Sequence, residues 1–145
     1  MTTLHETDFP VWADQQAALL RAGRLAEADI EHIAEDLEDM GNEVRNACRA
    51  FPRRIVEHLL KLQYSSQDQH KEHWRDEVIN FRGDLDDRLT RSIENQLSAQ
   101  LEQIYRKGRA FAVAALSPRE PEFAGRLPET CPWTLDQLRD AAFWP

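Results

Sequence analysis

The stretch that decides the fold runs from Asp29 to Leu62, DIEHIAEDLEDMGNEVRNACRAFPRRIVEHLLKL. Its apolar residues Ile30, Ile33, Leu37, Met40, Val44, Cys48, Phe51, Ile55, Leu59 and Leu62 recur in steps of three or four, the period of one helix face. Pro52 falls inside the series. A proline in a helix interior removes a hydrogen bond and crowds the preceding turn, at a cost of about 3 kcal/mol, yet the stripe keeps its register on both sides. The spacing therefore predicts a kinked helix over residues 29–65, with a break at 49–52 as the alternative.

On the N-terminal side, Phe9, Trp12, Ala13, Ala17 and Leu20 share helical spacing. Asp8 suits the N-cap, Pro10 the first turn and Gly23 the stop. On the C-terminal side, SSQDQHKEH at 65–73 reads as a turn. Trp74, Val78, Phe81, Leu85 and Leu89 form a third stripe, and Ile93, Leu97, Leu101, Ile104, Gly108, Phe111 and Ala115 continue it. Thr90 or Ser92 can cap a fresh helix, so a break is placed near 90. Beyond Leu116 the prolines at 118, 121, 128 and 132 punctuate a loop that no helix can run through. In CPWTLDQL, 131–138, Thr134 and Gln137 form a capping box and Trp133 and Leu138 a hydrophobic staple, the signature of a last short helix.

A chain of 145 residues is long enough to bury a core without disulfides or metals. A net charge of −8 disfavours phosphate backbones and anionic membranes, because long-range attraction follows the sign of the summed field. Neither a secretory leader nor a run of eighteen apolar residues is visible, which reads as a soluble cytoplasmic protein. Cys48 and Cys131 are too far apart, and too isolated from ligand-type neighbours, to suggest a disulfide framework or a zinc site. Cys48 lies in the apolar stripe and reads as a small hydrophobe. Cys131 precedes a helix but has acidic neighbours Glu129 and Asp136, so it reads as an anchor for the tail. No glycine pattern forms a phosphate loop.

The segments ETDFPVWADQQAALLRAG (6–23), IAEDLEDMG (33–41), HLLKLQY (58–64), HWRDEV (73–78) and above all LPETCPWTLDQLRDAAFWP (127–145) resemble the bacterial domain-of-unknown-function family 29, small proteins of cyanobacteria and proteobacteria. The chain departs from that pattern at Thr90-Arg91-Ser92, where the family usually carries Ser-Pro-Ser. The resemblance implies an all-helical fold and supplies no activity, cofactor or catalytic residue.

Three constellations could carry chemistry. The acids between Glu27 and Glu43 are unrelieved by Lys or Arg, and Glu31, Glu35 and Glu38 fall opposite the apolar stripe, a solvated face able to bind a basic partner. His32 and Asp36, one turn apart, supply half of a metal site. His58, within the stripe, is the natural recruit to it, but 22 residues at 1.5 Å place it about 33 Å from Asp36 along one helix. His70 and His73 with Asp68 and Glu72 read as a solvated turn. Basic clusters at Arg49, Arg53 and Arg54 and at Arg106, Lys107 and Arg109 read as partners for acids of the same chain or a second subunit.

These features predict an all-α fold, an antiparallel helical bundle over residues 1–145 as a single helical domain. It would comprise a short N-terminal helix, the kinked long helix, and a proline-rich segment from 116 leading to a short docked C-terminal helix. Trp12, Trp74, Trp133 and Trp144 are expected to be largely buried. The functional expectation is a small binding or adaptor protein, with a homodimer left open, acting through the acidic helix face (Glu31, Glu35, Glu38) or an inter-helix groove on an unidentified protein partner. The alternative is a helical-bundle enzyme or metal-binding protein with catalytic candidates His58, Asp36 and Glu35 and metal candidates His32, Asp36 and His58. No cofactor or metal is expected, nor binding to nucleic acid or membrane.

Overall fold

The computed structural model describes all 145 residues, and the fold is all-helical. In chain order the α-helices are α1 (Leu4–Thr7), α2 (Phe9–Arg21), α3 (Ile30–Tyr64), α4 (Lys71–Arg88), α5 (Arg91–Ala99), α6 (Leu101–Leu116), α7 (Phe123–Arg126) and α8 (Leu135–Arg139). Single 3₁₀ turns at Leu25–Glu27 and Asp68–His70 precede α3 and α4. The chain divides into two compact units, Met1–Val44 and Arg45–Pro145, with the division falling inside α3. No helix is long and apolar enough to cross a membrane.

In the first unit, the helix boundaries follow local chemistry. Asp8 caps α2 by accepting from the Val11 N–H at 3.3 Å, and Pro10 occupies the first turn, where its missing donor costs nothing. Gly23, at φ +71°, turns the chain after α2 in a conformation that an L side chain resists. Asp29 starts α3: its Oδ1 accepts from the His32 N–H and its carbonyl from Ile33. Gln16 of α2 in turn accepts from the Asp29 N–H at 2.7 Å. Trp12 is the one fully enclosed side chain of these 44 residues, and its indole N–H donates to Asp29. The stripe Ile30, Leu37, Met40 and Val44, which periodicity alone assigns to a buried face, is exposed, Leu37 by 63% and Met40 by 62%.

The second unit holds the core. Helix α3 passes unbroken through the buried Pro52, and from Ile55 to Lys61 every residue is enclosed, so its helical period of burial disappears. Different neighbours account for its different sides. The Phe81 and Trp74 rings of α4 lie at 5.8 Å from the His58 ring and the Lys61 ammonium. From α6, Phe111 packs under the Arg54 guanidinium and Gly108 comes up against Arg53 and Val56. Glu57, enclosed with them, is paired to Lys61 at 2.9 Å and to Arg54 at 2.7 Å, which keeps a buried carboxylate from standing alone.

Thr90 caps α5 through the Ile93 N–H, as its position suggests. The stripe continuing from there is split at Gln100 into α5 and α6. The capping box forms at the last helix: the Thr134 hydroxyl accepts from the Gln137 N–H and Gln137 accepts from the Thr134 N–H, while Trp133 and Leu138, at the staple positions, are both buried. Trp144 is only half-buried, with the guanidinium of Arg75 4.1 Å from its ring centre. Cys131 donates its S–H to the Trp133 carbonyl, and burial pushes its thiol up, which suits an anchor.

A knot at the end of α3 fastens the proline-rich loop. Glu120, almost fully enclosed, accepts from the Ser65 hydroxyl (2.8 Å), the Ser66 N–H (2.8 Å), the Ser66 hydroxyl (2.9 Å) and Arg126 (2.8 Å). Burial pushes its carboxyl up, but these four donors outweigh it and bring the pKa down to about 2. A folded value below the unfolded 4.5 gives stability that is present above pH 4.5 and lost as the pH falls towards 2. Glu120→Gln should be less stable at neutral pH by about 2–4 kcal/mol, since an amide cannot serve four donors. Its acid unfolding curve should also be flatter than the parent's across that window. Superimposable acid limbs in circular dichroism would show that the knot does not hold the loop.

Candidate functional site

In the first unit an open apolar groove of about 190 Å³ lies between α2 and the first turns of α3. Phe9, Trp12, Ala13, Ala17 and Leu20 line it from α2, with Gln16. Ile33, Leu37 and Met40 line it from α3, with Asp36. The positions follow from a three-to-four-residue rhythm on both helices, which turns one apolar stripe towards the other. Phe9, Leu20, Leu37 and Met40 remain exposed, so the two stripes do not close over one another.

At one side of this groove the N-terminal helix supplies His5. Its ring stacks on His32, with centroids 4.3 Å apart and planes 13° from parallel, and meets Trp12 edge-on at 4.4 Å. Each histidine has its own carboxylate. His5 Nε2 donates to Asp36 Oδ2 at 3.0 Å, and His32 Nδ1 donates to Asp29 Oδ2 at 2.6 Å. Asp36 thus belongs both to the groove wall and to this histidine pair.

The sequence points to His32 and Asp36 as neighbours, and the structure places them in one cluster but bonds each to a different partner. Glu31, Glu35 and Glu38 are exposed on α3. His58 finds its partners within the second unit: Nδ1 donates to the Arg54 carbonyl at 2.7 Å, and Glu57 lies 3.5 Å away. No group of three or more His, Cys, Asp or Glu side chains is arranged to hold a metal ion. His5 escapes periodicity because α1 is a single turn. Its signal was the Thr3-x-x-Glu6 pattern, a capping box around that turn in which the Thr3 N–H donates to Glu6.

The histidines diverge in titration. The hydrogen bond to Asp29 raises the His32 pKa above 6.5 against the opposing effect of burial, and the same bond lowers Asp29. Burial lowers that of His58, against the bond to Arg54 and the charge of Glu57. The stability from His32 is complete below pH 6.5 and fades as the pH rises through its folded value. That from His58 is present above 6.5 and fades as the pH falls through its folded value. NMR titration of the imidazole protons should find His32 midpoints above and His58 midpoints below the free value; coincident midpoints would contradict the bonding described.

Charge is divided as sharply as burial. Residues 1–44 carry eleven Asp and Glu against two Arg, a net −9, while residues 45–145 carry fifteen against sixteen Lys and Arg, a net +1. The net negative charge of the chain therefore resides in the unit that bears the open groove.

No curated protein matches the chain. A crystal structure of an α-helical protein of unknown function from Rhodospirillum rubrum is similar to it, with 27% identity and a TM-score of 0.67 over 99% of this chain and 93% of that one. A family model, Domain of unknown function DUF29, matches residues 4–144. With the match spanning almost every residue, and with the helical architecture in agreement, the chain belongs to the DUF29 family.

Proposed function

We propose that the protein is a binding module whose first unit docks a cationic, amphipathic helical segment of another protein in the groove between α2 and α3. The observation that carries this reading is the coincidence of an open apolar groove with a net charge of −9 in the same 44 residues. An apolar cleft between two helices accepts the ridge of a third, read as side chains at i, i+3, i+4 and i+7. Helix α2 has 13 residues, so at 1.5 Å per residue the seat is about 20 Å long and suits three to four turns.

Burial of Leu37, Met40 and Phe9 supplies affinity, at roughly 25 cal/mol for each Å² of apolar surface removed from water. The surrounding carboxylates select the sign of the partner and speed its approach. The same field disfavours a second copy of this unit, nucleic acid and anionic lipid.

Photoreactive side chains placed at positions 37 and 40 in the native host test this directly. The expected adducts map, by mass spectrometry of the joined peptides, to a partner segment with a helical apolar stripe flanked by Lys and Arg, and vanish when Phe9 is replaced by Glu. Adducts to a second copy of the chain, to acidic segments, or to none would overturn the reading.

A further inference from the structure

The docking reading above leaves open what the groove selects, and the following inference rests on it. Asp36 is the one carboxylate in the groove wall, and Gln16 the one other polar side chain. Both are half committed. Asp36 Oδ2 accepts a hydrogen bond from His5 Nε2 at 3.0 Å, which fixes the carboxylate, while Oδ1 keeps its acceptor capacity. Gln16 gives its oxygen to the Asp29 N–H at 2.7 Å. A purely aliphatic side chain seated here would strip water from Asp36 and return no hydrogen bond, an unfavourable exchange. A Lys or Arg side chain avoids that, because its methylene stem covers apolar surface while its head stays polar.

We infer that Asp36 is the specificity-determining residue of the groove, selecting a Lys or Arg of the docked helix as the anchor. The stem of that residue lies along Leu37 and Met40, and its cationic head donates to Asp36 Oδ1. His5 is a positioning residue, acting through Asp36.

Designed amphipathic peptides of about four turns, identical but for the central residue, test the inference by fluorescence anisotropy. Three are needed, with Lys, norleucine or Glu at the centre and the same Lys-rich flanks. Against the parent protein the Lys peptide should bind about tenfold more tightly than the norleucine peptide, the size expected of one charge-assisted bond. Against Asp36→Asn that difference should vanish. A preference that persists in Asp36→Asn would assign the selectivity to the general field and overturn the inference.

Equal binding of Lys and norleucine peptides to the parent, abolished by Leu37→Glu, would also overturn it while leaving the docking reading intact. Failure of every peptide to bind, or binding indifferent to Leu37→Glu, would remove both. Should Asp36→Asn fail to fold, Asp36→Ser makes the same comparison, since it too removes the carboxylate.

Discussion

Replacing Gly108 with alanine should destabilise the protein by about 2–3 kcal/mol, although alanine is the better helix former by about 1 kcal/mol. A Cβ at this position would stand 2.6 Å from the Arg53 carbonyl oxygen and 2.7 Å and 2.8 Å from Cγ1 and Cβ of Val56. The first of these is backbone of α3, held in the helix by its own hydrogen bonding, and Val56 is β-branched and fully buried, so neither can yield cheaply. Helices α3 and α6 must separate instead, which loosens the contacts around them. Thermal unfolding should fall by roughly 10 °C for a domain of this size.

The control is Gly83→Ala in α4, where nothing lies within 4 Å of the added methyl and a gain of a few tenths to about 1 kcal/mol is expected. Adding Val56→Ala to Gly108→Ala should restore little, because the clash with the Arg53 carbonyl remains. An unchanged melting temperature for Gly108→Ala would mean that the close approach of the two helices is not essential.

The second large effect is expected at Arg82. Its guanidinium is buried and gathers the last residues of the chain: Nε donates to the Leu138 carbonyl at 2.8 Å, Nη2 to the Phe143 carbonyl at 2.9 Å and more weakly to Gln137 at 3.4 Å. The Trp144 ring lies 4.9 Å from the same group. Burial lowers the Arg82 pKa, though the charge of Asp140 works against this. Arg82→Leu removes the donors to at least two tail carbonyls, and bonds from a charged donor are worth about 1.5–3 kcal/mol each. A loss of about 3–4 kcal/mol is expected.

The geometry of the group matters as much as its charge. Arg82→Lys keeps the charge but not the planar fork, and should recover less than half of that loss. In both variants hydrogen exchange at residues 134–145 should rise well before the rest of the second unit opens, and Trp144 fluorescence should shift to the red. Protection of the tail equal to the parent's would show that Leu135, Leu138 and Trp133 hold it without the arginine.

The contrast between these residues explains what the sequence could and could not disclose. Thr90, Thr134 and Gln137 were legible as caps because a cap is a bond between near neighbours, and α3 because ten apolar positions repeat one spacing. Gly108 was visible as a member of a stripe, but not as a crossing point. Arg82 and Glu120 were invisible, since the tail carbonyls that Arg82 binds and the two serines that bind Glu120 lie more than fifty residues away, and nothing local marks an arginine or glutamate that reaches so far. The split at Gln100 has no glycine or proline to announce it, and Leu97, Leu101 and Ile104 keep a helical step across it.

The candidate site failed to appear for a different reason. Periodicity tells which residues share a face but not whether anything covers that face. Ile30, Leu37, Met40 and Val44 obey the same rhythm as Ile55 and Leu59 and have the opposite exposure. Asp36 is legible only as a neighbour of His32 one turn away, not as the partner of His5. His5, its true partner, lay in a single turn too short for any period to register.

Helix α3 is also a boundary between two regimes of sequence change. From Ile55 to Lys61 it has no free side on which a substitution could go unnoticed, so lineages diverging from this chain should retain those positions nearly letter for letter. From Asn42 to Ala47 every residue is exposed, and drift there meets little resistance from packing. One continuous helix thus carries a slow clock at one end and a fast one at the other.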